Sequence, residues 1–417
     1  MLLSITANYI FAMLIETYNE RAIPRRIVLI LSVVFNLGIL GYYKYTGFFL
    51  TNIQNIFGLD LAIPRIIMPI GISFFTFQGM SYVFDVYQNT VKAQRNILNI
   101  ALYISMFPQL VAGPIVRYET IENELTDRKE SLPMFYNGLC RFIIGMGKKM
   151  LLANCFGSIV QDIGWLTEPT VSWAIAWAGA IAYTLQIYYD FSAYSDMAIG
   201  LGQMLGFRFL ENFNYPYISR SITEFWRRWH MSLSVWFRDY VYIPLGGSRR
   251  GKARQIINIA IVWALTGFWH GASWNFIVWG VYFAALLIAE KLFLLKILEK
   301  AWKPFAHVYA LFFIVIGWVI FNSTSMPDIT KTMQTMFTFA PLSDVSKGYM
   351  IYLFRNYTAE IAAGILFALP IFPLIKKRFE NNIIYRCVFP VCILIIFALS
   401  LVSIVSNTFN PFIYFRF

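Results

Sequence analysis

The sequence predicts an all-α, polytopic membrane protein of about ten or eleven transmembrane helices plus interfacial or re-entrant ones. Three observations carry this. Of the 417 residues, 58% are hydrophobic and 13% are charged, about half the ~25% charge of a soluble domain. Apolar runs recur along the whole chain, and backbone groups inside lipid must bond within their own segment, which makes helices the default. Lys and Arg cluster between those runs, as positive-inside loops do. An ordinary water-soluble domain and a disordered chain are both excluded.

The apolar runs lie near 2–15, 27–42, 61–84, 97–116, 139–160, 171–189, 193–209, 255–269, 272–294, 306–321, 359–375 and 384–406. Several are shorter than the ~20 residues of an upright span and would be tilted, paired or re-entrant. The start, Met-Leu-Leu-Ser-Ile-Thr-Ala, lacks a basic n-region and a small-residue cleavage site, so the first run is expected to belong to the mature membrane body. The basic clusters Arg21/Arg25/Arg26, Arg249/Arg250/Lys252/Arg254 and Lys376/Lys377/Arg378 are assigned to the cytoplasm. The net charge of +12 (34 − 22) is therefore read as affinity for the lipid bilayer and its anionic headgroups. No continuous basic face is expected, so nucleic acid is not a partner. Cys140, Cys155, Cys387 and Cys392 form no CxxC pair and read as packing residues, with no disulfide framework and no metal site. No internal repeat and no soluble domain is visible, so residues 1–417 read as one membrane domain.

The stretch 211–248, ENFNYPYISRSITEFWRRWHMSLSVWFRDYVYIPLGGS, departs from the rest. Ser221 followed by Glu224 is a capping-box pattern. A helix beginning there places Ile222, Trp226, Trp229, Leu233, Phe237 and Tyr240 on one stripe, flanked by Arg227 and Arg238. Arg228, Glu224 and Asp239 lie behind. This predicts one amphipathic, Trp-rich interfacial helix, with His230 at the border of the stripe beside cations.

His270, in FWHGASW, is the most informative residue. A helix over 255–269 rises roughly 22 Å from the basic loop at ~1.5 Å per residue. That sets His270 at hydrocarbon depth, where an ionisable group is a functional hypothesis by default. The competing reading is a structural imidazole bonded to a neighbouring helix. An ordinary imidazole pKa near 6.5 suits general-base work at neutral pH. His230 reads first as an interfacial ring in a Trp/Arg helix and second as a catalytic partner. His307 reads as structural. Asp85, Asp190 and Asp196 lie within apolar runs. With Gln186, Tyr188, Tyr189, Ser192, Tyr194 and Ser195 they suit either interhelical hydrogen bonding or a hydrated wall. Asp190 and Asp196 are too poorly aligned on one helix to be an acid/base dyad. Serine-hydrolase, NTPase and zincin signatures are missing. What is left suits acyl transfer from an anionic cytosolic donor, with Arg227, Arg228 and Arg238 as candidate contacts for its phosphates.

The run ENFNYPYISRSITEFWRRWHMSLSVWFRDYVYIPLGG followed by GFWHGASWNFIVWG closely resembles the membrane-bound O-acyltransferases. Within them it is similar to the bacterial branch of the alginate O-acetyltransferase membrane subunit. PIGISFFTFQGMSYVFDVY, FPQLVAGPIVRY, YDFSAYSDMAIGLGQMLGF and the ending NPFIYFRF fit the same branch. The resemblance implies a helical enzyme around a central tunnel, with the family's near-invariant His at His270 and the second motif position at His230. Asp190, Tyr194, Ser195, Asp196, Trp269, Trp274 and Asn275 are then expected to line the tunnel. It implies no resident cofactor, an acetyl-CoA donor, an extracytoplasmic polysaccharide acceptor, a separate periplasmic or extracellular acetyltransferase as partner, and a bacterial inner-membrane location. The branch carries further hydrophobic helices before the region that begins here at Thr6-Ala7-Asn8, which leaves the N-terminal side open. Two alternatives stand beside this reading. One is D-alanyl transfer to teichoic acid from a carrier-protein thioester. The other is a non-enzymatic envelope-glycan transporter, for which the paired repeats common in transporters are not seen.

Overall fold

The computed structural model describes residues 1–111, 113–164, 166, 171–406 and 412–413. Most of the ending 410–417 and Ala112 of the FPQLVAGPIVRY motif therefore lie outside the described residues. The described chain is helical, without a strand. Its principal helices are α1 (Leu2–Thr17), α2 (Ala22–Leu40), α3 (Ile72–Tyr87), α4 (Ile97–Ser105), α5 (Leu132–Gly147) and α6 (Trp173–Met204). They continue as α7 (Ile222–Arg228), α8 (Met231–Phe237), α9 (Lys252–His270), α10 (Trp274–Ala289), α11 (Lys303–Asn322), α12 (Asp344–Phe367) and α13 (Ile383–Ser406).

Two compact units result. The first comprises 1–139, 198–211 and 232–250; the second comprises 140–197, 212–231 and 251–417. Among the described residues, four helical stretches are long and apolar enough to cross a membrane: Ala22–Phe57, Leu132–Gly164, Lys303–Asn322 and Ile383–Ser406. A fifth forms if Asp344–Phe367 and Ile371–Phe379, bent by 65°, make one span. The ten or eleven spans expected from the apolar runs are not reached by this measure, for a physical reason. The run near 61–84 opens as irregular chain before α3, and α6 carries Gln186, Asp190 and Asp196, which lower its hydropathy. The α13 helix buries little beyond Ile393 and Ser400, and leaves Leu394, Val402 and Val405 outward for lipid.

In the first unit, α1, α2 and α3 pack through buried polar pairs. Asn8 and Asn36 exchange side-chain bonds of 3.1 and 2.9 Å. Gly79 on α3 makes room for this, since a Cβ there would lie 2.6 Å from the Asn8 amide nitrogen. Asp85 is buried on α3 and accepts the Tyr240 hydroxyl at 2.6 Å. The Trp236 indole donates to the Phe77 carbonyl at 3.1 Å and stacks on the Phe77 ring.

In the second unit, α9 and α10 form a hairpin whose backbones nearly touch. A Cβ on Gly267 would strike the Phe276 carbonyl, and one on Gly280 would lie 2.5 Å from the Trp263 carbonyl. Small residues permit this close approach between helices in lipid. The α5 helix passes through a π-helical turn, Lys148–Ala153, into Asn154–Gly164. At Gly145 it meets α6, where a Cβ would lie 2.7 Å from the Ala193 carbonyl.

Gly280→Leu is expected to force the hairpin apart, at the roughly 1–3 kcal/mol typical of overpacking. The thermal midpoint in detergent should fall. Gly348→Leu, at a glycine with open space around its Cβ position, should leave the midpoint unchanged. Equal midpoints for both variants would contradict this packing account.

Candidate active site

The α9 helix ends on His270, as its sequence spacing predicts. Gly271 is extended (φ −166°), Ser273 follows, and α10 begins at Trp274. A side chain at Gly271 would collide with the Phe276 ring, so the chain turns tightly between the two helices. His270 is 7% exposed. Its ring sits edge-on to Trp279 (5.1 Å, 82°) and Phe321 (5.3 Å, 84°), with Trp269 at 5.0 Å. Asn275 is buried one residue into α10 and donates to the Phe321 carbonyl at 3.2 Å. The imidazole thus occupies an aromatic cup built by α10 and α11.

The single amphipathic helix expected over 222–240 does not form. Ser221 caps α7 as predicted: its Oγ accepts Glu224 N–H at 3.0 Å, and Glu224 reaches back to Arg220 N–H at 2.9 Å. The helix then stops after Arg228, and His230 takes a left-handed conformation (φ 45°) before α8 begins. This region costs a non-glycine residue energy and persists only where surrounding contacts hold it. Asn212 holds it. Its backbone carbonyl accepts Met231 N–H at 2.9 Å, and its Oδ1 faces His230 Nδ1 at 3.1 Å.

That bond also assigns the tautomer. Asn212 Nδ2 donates to Ser195 Oγ at 3.0 Å, which turns Oδ1 toward the imidazole. A carbonyl oxygen only accepts, so His230 Nδ1 carries the proton and Nε2 keeps a lone pair. His230 is 2% exposed and packs edge-on to Phe191 at 4.7 Å. Burial pushes its pKa down to about 3. It lies in the break between two short helices, with the rings of Phe191 and Trp269 beside it, and not on the single helix expected. Trp269 touches both imidazoles, at 6.2 Å from His230 and 5.0 Å from His270.

The three arginines expected at the donor have different neighbours. Arg228 pairs with Glu224 at 3.0 Å and donates to the Asn214 carbonyl. Arg238 belongs to the first unit and pairs with Asp239 at 2.6 Å. Arg227 is exposed, with no ion pair among the described residues. The α6 acids are also engaged. Asp190 binds Lys149 at 2.6 Å, both side chains 3% exposed, and accepts Ile413 N–H at 2.7 Å. Asp196 binds Arg141 at 2.9 Å and Lys148 at 2.6 Å. Tyr194 is half-buried against Phe412 at 5.0 Å. Trp274 is 52% exposed, so it faces outward. His307 Nδ1 lies 3.2 Å from the Ser219 carbonyl, in the structural role expected of it.

Sequence reasoning missed Asn212, Lys149, Trp279, Phe321 and Glu290. Lys148-Lys149 did carry a signal, being cations inside the apolar run 139–160. Asn212 carried none, because its partner is 18 residues away across a turn.

Two outcomes follow from this geometry. Asn212→Ala should lower turnover about 10-fold, the worth of one buried hydrogen bond of ~1–1.5 kcal/mol; an unchanged kcat would deny Asn212 its orienting role. Lys149→Met leaves Asp190 buried without its cation and should cost about 3–5 kcal/mol of stability. The thermal midpoint in detergent reads it, and Lys149→Met/Asp190→Leu should recover part of the loss.

The model of the MBOAT, membrane-bound O-acyltransferase family matches residues 28–327, which include both histidines. The chain is 36% identical to a probable alginate O-acetylase of Azotobacter vinelandii, over 98% of this chain and 89% of that protein. It is also 36% identical to a probable alginate O-acetylase of Pseudomonas putida, over 98% of this chain and 88% of that one. A peptidoglycan O-acetyltransferase of Helicobacter pylori is 33% identical, over 89% of this chain and 76% of that protein. The chain is thus a multi-pass helical protein of the bacterial inner membrane and an acyltransferase: it belongs to the membrane-bound O-acyltransferase family.

Proposed function

We propose that the protein moves an acetyl group from cytosolic acetyl-CoA to hydroxyls of an extracytoplasmic polysaccharide, directly or through a separate acetyltransferase. The observation that carries this reading is His270, buried at the end of α9 in an aromatic cup, within the region matched by the family. The acetylase names of its relatives support the acetyl group and the glycan acceptor.

In the proposed reaction, His270 takes the proton from the acceptor hydroxyl as its oxygen attacks the thioester carbonyl. The tetrahedral intermediate collapses, the carbon–sulfur bond breaks, and the thiolate recovers the proton from the imidazolium. The products are an ester and a free thiol, and proton count is conserved. With Nδ1–H engaged by Asn212, His230 offers Nε2 as an acceptor. With burial holding its pKa at about 3, it is suited to accept a hydrogen bond from the acceptor hydroxyl and orient it, while His270 takes the proton. Trp269 joins the two rings, and Asn275 lies beside the cup. Arg227, exposed and without an ion pair among the described residues, is the best placed of the expected arginines to meet the donor's phosphates. The Asp190–Lys149 and Asp196–Arg141/Lys148 pairs, and the Ser195–Asn212 bond, support the first of the two readings their positions allowed, ties from α6 to its neighbours.

His270→Ala should reduce transfer from radiolabelled acetyl-CoA to membrane glycan by roughly 10²–10⁴-fold, the usual worth of a positioned base. Its gel-filtration profile in detergent should match that of the parent. Full activity in that variant would refute the assignment. Transfer that requires a carrier-protein thioester would replace acetyl-CoA as donor.

A further inference from the structure

We propose that Glu290 is a positioning residue, setting the register of the His230 helix against the helix that lines His270; this rests on the reading of His230 and His270 as the reacting pair. Glu290 is 1% exposed, and it opens the π-helical turn that continues α10. No salt bridge to it is found among the described residues. Its carboxylate instead accepts Ile222 N–H at 2.6 Å, Thr223 N–H at 2.8 Å, Thr223 Oγ1 at 2.6 Å and Tyr309 Oη at 3.2 Å.

Ile222 and Thr223 open α7, so a glutamate 67 residues away satisfies two of the amide groups that a helix start leaves unpaired. Ser221 takes a third, from Glu224. A negative group is also favoured at a helix N-terminus by the aligned peptide dipoles. A seven-residue helix has little stability of its own. Its position must come from such anchors.

The direction of α7 gives the anchor its meaning. Its start lies at Glu290, and one turn on, Trp226 contacts Phe283 (5.0 Å) and Trp279 (5.5 Å) of α10. Trp279 is the residue against His270. So α7 runs antiparallel along α10, from Glu290 back toward the His270 cup, and delivers His230 at its end. A slip of one residue would move His230 by ~1.5 Å along the axis. Displacement of that size at a reacting group costs on the order of 10²-fold in rate. A buried carboxylate is costly to keep, and a register function gives it a reason to be there.

The test is a double-mutant cycle with transfer from radiolabelled acetyl-CoA as the readout. Glu290→Gln keeps the shape and one acceptor oxygen but turns an amide against the α7 donors. It is expected to lower kcat about 10- to 100-fold, with the KM for acetyl-CoA within about 2-fold, because only the reacting geometry changes. In a His230→Ala background the same substitution should lower the residual rate by less than about 3-fold, since the group it positions is gone. Glu290→Asp should recover part of the loss. If Glu290→Gln does not fold, Tyr309→Phe, which removes one donor and spares both backbone bonds, should show the same non-additivity on a smaller scale. Equal losses in the two backgrounds, or no loss in the parent, would overturn the proposal. A fully active His230→Ala protein would instead overturn the assignment of His230, which keeps the two failures distinct.

Discussion

The close approach of α9 and α10 at Gly267 and Gly280 is the constraint on which the site depends. Lipid supplies no hydrophobic push between helices, so their association rests on contact, and contact is greatest where no side chain intervenes. Because the two backbones meet there, the turn after His270 can be short, and the first turns of α10 bring Trp279 against the imidazole and Asn275 to the Phe321 carbonyl. A wider hairpin would leave that ring loose at a helix end. Instead it is packed edge-on against three aromatic neighbours.

The buried charges follow a second rule: each is answered inside its own unit. Lys149 meets Asp190, Asp196 meets two cations, and Glu290 meets four hydrogen-bond donors in place of a cation. Breaking such a pair is expensive, while the intact pair contributes little net stability. Their value is better understood as fixing which helix faces meet. Two of these groups, Lys149 and Glu290, lie in π-helical turns, where the extra residue re-aims a side chain that a regular helix would point elsewhere.

Much of this was legible in the sequence because it is local. The helical membrane class follows from composition, the end of α9 at His270 from the spacing between a basic loop and FWHG, and the start of α7 from the Ser221/Glu224 pair. What failed was non-local. The periodicity of 222–240 is continuous, and nothing in it announces a break, since the left-handed turn at His230 is imposed by Asn212 from another segment. The arginine pairs, by contrast, are local: Arg228 meets Glu224 one turn earlier and Arg238 meets the adjacent Asp239. The α6 acids left interhelical bonding and a hydrated wall both open, because their partner cations on α5 and its π-helical continuation lie more than 40 residues away in sequence. Apolar runs also outnumber the long apolar helices among the described residues, because a run records hydrophobicity and not whether one straight helix uses it.

The central claim is that the His270 imidazole is the base that a thioester and a hydroxyl both reach. A cryo-EM structure of the protein in lipid nanodiscs with a non-hydrolysable acetyl-CoA analogue tests it most directly. The account predicts the analogue's acyl carbon within about 3–4 Å of the space an attacking oxygen would occupy beside His270, with the phosphates toward Arg227. An analogue seated elsewhere, with the ring closed off from both aqueous phases, would contradict it.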